Sequence, residues 1–88
     1  MEGLTICIPR VDKTITRRFI QDVFAKCNIG YIDWVNLVKG QETSKAFVHF
    51  RAWFRSTRAR DIKDKLLRGE YIYVVYSSPW FWRCSKSR

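Results

Sequence analysis

The stretch YIYVVYSSPWFWRC, residues 71–84, decides whether the sheet ends before the chain does. YIYVVY is rich in β-branched and aromatic residues and reads as a strand. Pro79 has no backbone donor and must interrupt strand pairing, so the chain is expected to leave the sheet near Ser78 with Trp80, Phe81 and Trp82 still to be placed. Those rings cannot all stay in water. Either Trp80 or Trp82 folds back over the sheet surface, or the rings seal the core from its edge. On this reading residues 1–78 form one domain, and residues 79–88 an aromatic and basic tail packed on or near it.

Upstream, LTICIPRV alternates apolar residues at Leu4, Ile6 and Ile8 and then meets Pro9, the pattern of a strand with one buried face that ends in a turn. TRRFIQDVFAKCNIG follows, with Thr16 as N-cap, apolar Ile20, Val23, Phe24 and Cys27 at helical spacing, and Gly30 just past the end. YIDWVNLV and SKAFVHF flank the turn-like KGQET and should pair as a hairpin. In STRARDIKDKLLRGE, Ala59, Ile62 and Leu66 recur at helical spacing between a Ser/Thr cap and Gly69. The order is βαββαβ. It predicts an α+β, ferredoxin-like chain: a four-stranded antiparallel sheet with two helices on one face.

Alternation within each strand separates core from display. The expected helix-facing set is Ile6, Ile8, Val35, Leu37, Ala46, Val48, Phe50, Ile72 and Val74. The displayed set is Cys7, Trp34, Asn36, Lys45, Phe47, His49, Tyr73 and Val75. Rings for stacking bases, cations for phosphate and polar groups for base edges are what a single-stranded nucleic acid requires.

The charge agrees. Seventeen Lys and Arg against eight Asp and Glu give +9 over 88 residues, which points to an anionic partner, nucleic acid first. A chain of this length is one domain at most and buries about 60–65% of the surface its unfolded form exposes. Cys7, Cys27 and Cys84 are odd in number and widely spaced, so neither a disulfide framework nor a zinc site is indicated. No apolar run is long enough for a signal peptide or a membrane span, so a soluble protein with reduced thiols inside a cell is expected.

On these residues the chain resembles the RNA recognition motif family. The family's long strand signature lies over TSKAFVHF, where Ala46, Phe47, Val48 and Phe50 match and Thr43, Ser44 and Lys45 do not. Its short signature falls on ICIPRV, where Cys7 replaces the usual aromatic and Arg10 the usual Asn. The chain also resembles small proteins of this kind encoded by large DNA viruses of algae and protists, through CIPRV, VHF with Trp53, and PWFW. That likeness implies a viral protein acting in an infected host cell, and it implies that Cys7 and the terminal rings belong to the family's own design.

The expected function is binding of single-stranded RNA, or single-stranded DNA, without catalysis. Phe47 would stack a base; Lys45, Arg10, Arg83, Lys86 and Arg88 would contact phosphates. Cys7, Trp34, His49, Tyr73, Trp80 and Trp82 complete the expected site. Trp53 and Phe54 are expected to pack at the core edge. Arg17 and Arg18 stand in a first helical turn, the unfavourable end for cations. The charges of the second helix read as a solvated face partly paired with Asp61, Asp64 and Glu70. No cofactor, metal, membrane or small-molecule substrate is expected. Cys7, His49 and Cys84 lack any ligand spacing, and a Cys7–His49 nucleophile lacks an orienting group. An acylphosphatase reading fails because PRVDKT has no glycines. The alternative is a protein interaction module or homodimer that uses the open sheet and the aromatic tail.

Overall fold

The computed structural model describes residues 4–87, in the order β1 (Thr5–Asp12), α1 (Arg17–Cys27), β2 (Gly30–Lys39), β3 (Thr43–Trp53), α2 (Thr57–Leu67), β4 (Ile72–Ser77) and β5 (Trp80–Lys86). The expectation of a four-stranded ferredoxin-like sheet is overturned. The sheet has five strands in the order β2-β3-β1-β5-β4, and every pairing is antiparallel.

The reason lies at Pro79. The chain reverses at Ser78 and Pro79, whose shared peptide bond is cis, and β5 runs back along β4, with Val75 opposite Phe81 and Val74 opposite Trp82. A turn asks no ladder hydrogen bond of its proline, so the missing donor bends the sheet instead of ending it. On its other side β5 pairs with β1, Cys7 opposite Ser85 and Ile6 opposite Lys86. β5 therefore takes the place beside β1 that the four-stranded scheme reserved for β4. β4 moves out to the edge.

Both helices begin as their sequences dictate. Thr16 accepts from the Phe19 N–H at 3.1 Å and Ser56 from the Ala59 N–H at 3.2 Å, each satisfying a donor the first turn leaves free. Gly69, with φ +83°, ends α2 as expected, but α1 ends on Asn28, with φ 58°, and not on Gly30. Gly30 opens β2 instead. A side chain there would run into the Ala52 carbonyl, so glycine is required by the close approach of β3.

The core lies between the sheet and the helices. Ile6, Ile8, Val35, Ala46, Val48, Phe50, Ile72 and Val74 are buried as alternation predicts; Leu37 is half-buried. Trp82, 3% exposed, joins them: it stacks on Tyr76 at 4.4 Å and on Phe24 at 6.3 Å, and takes the edge of Phe19 at 6.2 Å. Trp53 and Phe54 pack partly buried against this core, Trp53 beside Phe50 at 4.8 Å and Phe54 beside Tyr31 at 4.9 Å. Among the described residues the salt bridge Arg68–Glu70, at 2.9 Å, is the single ion pair. No helix among them is long and apolar enough to cross a membrane.

Cys84 is fully buried beneath the helices, and that burial pushes its thiol up to about 12. The group is acidic and its folded value is raised, so its proton is held by the fold and released by the unfolded chain once pH passes the ordinary thiol value of 9.0. Stability is predicted to fall by about 1 kcal/mol per pH unit from there towards pH 12 on account of this group. Urea titrations at pH 8 and about pH 10 should show a smaller decline in Cys84→Ala than in the wild type; equal declines would contradict the assignment.

Candidate nucleic-acid interface

The face of the sheet turned away from the helices is assembled in rows set by strand register. One row runs Asn36, Phe47, Cys7 and Ser85 across β2, β3, β1 and β5. The next runs Trp34, His49 and Thr5. On the other half, Tyr73 stands opposite Arg83 and Val75 opposite Phe81. Successive side chains alternate across a strand and neighbouring strands lie about 4.8 Å apart, so these residues form one continuous surface.

The β2–β3 half is built around a stacked pair. The Trp34 indole lies over the His49 imidazole, ring centres 4.1 Å apart and planes within 13°. Trp34 is half exposed, so one ring face rests on His49 and the other meets solvent. Beneath it His49 is fixed by a 3.0 Å hydrogen bond between Nδ1 and the Thr5 hydroxyl, and its Nε2 is buried without a protein partner. His49 therefore supports the indole more than it reaches outward. Phe47, half-buried, lies diagonal to Trp34, a separation that long side chains span.

Lys45 projects from β3 opposite Val38. Burial pushes the Cys7 thiol up, and the nearby Lys45 ammonium takes back part of that shift, which places cation and thiol in one electrostatic neighbourhood. Arg51 continues the alternation of Lys45, Phe47 and His49 along β3 and sits over the Tyr31 ring at 5.9 Å.

The β4–β5 half exists because β5 is in the sheet. Arg83 lies over the Tyr71 ring at 4.5 Å, a cation–π geometry, and the Tyr73 and Phe81 rings meet edge to face at 5.4 Å. Tyr71, Tyr73, Val75 and Phe81 are each half or more exposed. At the far end of β1, Asp12 bounds the surface opposite Thr43. The Thr14 hydroxyl and N–H donate to its carboxylate at 2.6 and 2.8 Å and hold its pKa below the usual range, so it stays anionic.

The structure sorts the expected residues. Phe47, Lys45, Cys7, Trp34, Tyr73 and Arg83 come together on the open face, with His49 beneath Trp34. Trp82 does not: it is core, because its place opposite Val74 turns it towards the helices. Lys86 stands opposite the buried Ile6 and so falls on the helix side. Trp80 alternates with Phe81 and is 65% exposed at the hairpin tip, off the open face. Arg10 is exposed where β1 breaks register between Ile8 and Val11, and no row places it on the platform. Arg88 lies outside the described residues. Phe81, Tyr71 and Arg51 were missed. For Phe81 the signal is the alternation that resumes after Pro79, with Phe81 and Arg83 on one side and Trp80, Trp82 and Cys84 on the other; Arg51 and Tyr71 extend the alternation of His49 and of Tyr73.

No family model, curated protein or solved structure matches this chain.

Proposed function

We propose that this chain binds single-stranded nucleic acid, RNA before DNA, across the open face of its sheet, and performs no catalysis there. The observation that carries the reading is the gathering of rings and cations on one helix-free surface: exposed Trp34, half-buried Phe47 and Lys45 along one half, and exposed Tyr71, Tyr73 and Phe81 with Arg83 on the other. Each ring offers a face or edge to a base, and each cation stands within one or two residues of a ring, where the phosphates of a stacked strand run. Formal charge +9 adds a long-range attraction for any polyanion.

The test is an equilibrium titration of the wild-type chain with short single-stranded oligonucleotides at two salt concentrations. Binding that weakens as salt rises supports the reading, because released counterions drive it. No binding at the lower salt concentration would sink it.

A further inference from the structure

The two edges of the sheet are built differently. β2 carries Asp33 and Lys39 and breaks register twice between Tyr31 and Trp34. Charges and bulges of this kind keep a free edge from pairing with another chain. β4 has neither charge nor proline along Ile72–Ser77, and its bulge lies at the far end, between Val75 and Ser77. Its outward backbone groups have no strand beside them. The absence of charge extends from Tyr71 to Trp82, in a chain that is 28% charged. On the helix side a groove of about 750 Å³ runs along this edge, lined by apolar Ile72, Val74 and Tyr76 of β4 and, from the helices, by charged Asp22, Lys26, Arg58, Asp61 and Lys65 among others.

We propose that β4 pairs antiparallel with β4 of a second copy of this chain, joining two sheets of five strands into one. Charge and register select this occupant. Two copies at +9 repel one another least where neither carries charge, and β4 is that place. A twofold axis perpendicular to the sheet keeps helix side with helix side, so residues opposite one another across the seam must belong to the same alternation class. With Val74 opposite its own copy, Tyr73 meets Val75 and Ile72 meets Tyr76. Every such pair is aromatic or β-branched, the kind that stabilises an antiparallel ladder. The helix-side members Ile72, Val74 and Tyr76 also line the groove, whose charged side chains come from the two helices and carry both signs, so the seam itself stays free of charge. Pairing of this kind sets both open faces on one side of a longer sheet. It does not depend on nucleic-acid binding.

Sedimentation velocity of the full chain over a concentration series, at two salt concentrations, tests the proposal. The wild type should form a dimer, more tightly at the higher salt because screening weakens the mutual repulsion. Tyr73 and Val75 are 61% and 58% exposed, so Tyr73→Lys and Val75→Lys should fold as the wild type does by circular dichroism. Either should raise the dimer dissociation constant at least about tenfold by setting like charges close across the seam. A wild type that stays monomeric at the highest concentration reached, or a dimer that both variants leave intact, overturns the proposal. So does a dimer dissolved instead by Trp34→Ala, which would place the contact on the open face. Salt-sensitive oligonucleotide binding by a strict monomer would refute this pairing while sustaining the proposed function.

Discussion

Trp82→Ala should leave the chain unfolded or close to it, whereas Trp80→Ala should fold almost as the wild type does. The two indoles are two residues apart, but Trp82 is 3% exposed and Trp80 65% exposed. Removing Trp82 takes away the ring on which Tyr76, Phe24 and Phe19 converge and opens a cavity between β5 and α1. Truncations of this kind cost about 3–5 kcal/mol. A chain of 88 residues has roughly 4–13 kcal/mol in total at typical per-residue stabilities. The loss is thus a large fraction of the whole. Urea denaturation followed by far-ultraviolet circular dichroism reads it directly; equal midpoints for the two variants would contradict the placement of β5 in the sheet.

The second large effect belongs to the open face. Trp34→Ala should weaken single-stranded RNA binding by about 5- to 150-fold, the range that corresponds to losing one base–aromatic stack of about 1–3 kcal/mol. Its ring is half exposed and rests on His49, so its removal should cost little stability. Phe47→Ala should weaken binding similarly, with some destabilisation because Phe47 is half-buried between β1 and β2. Lys45→Glu and Arg83→Glu should each reduce affinity several-fold at low salt and flatten its salt dependence. The control is Arg60→Glu, which changes net charge by the same amount from α2, behind the sheet. If Arg60→Glu weakens binding as much as Lys45→Glu, the open face is not the binding surface and net charge alone accounts for the affinity.

The residues of β1 to β3 and of both helices announce their element type through a cap or a period, but not every stop: β1 runs on through Pro9 to Asp12, and α1 closes at Asn28 while Gly30 opens β2. Thr16, Ser56 and the alternation from Lys45 to Phe50 needed no tertiary context. The end of the chain misleads for a physical reason. A proline after a strand reads as the close of a sheet, yet the same missing donor is harmless in a hairpin turn, and the choice between them depends on whether a strand follows. Residues 80–84 supply that strand, with Trp82 and Cys84 on one side and Phe81 and Arg83 on the other. Three consecutive rings mask this alternation, because both sides of the strand read as apolar from Trp80 to Trp82. Missing it displaced Trp82 and Lys86 onto a binding surface they do not share and hid the half-platform of Tyr71, Phe81 and Arg83. It also concealed the uncharged edge of β4, which becomes an edge only when β5 is inserted beside β1.

The most direct measurement is an amide chemical-shift map of the full chain titrated with a short oligouridine at low salt. The largest changes should fall on Cys7, Trp34, Lys45, Phe47, Tyr73 and Arg83, with α1 and α2 nearly unaffected. Changes concentrated on the helices, or none at saturating oligonucleotide, would contradict binding at the open face.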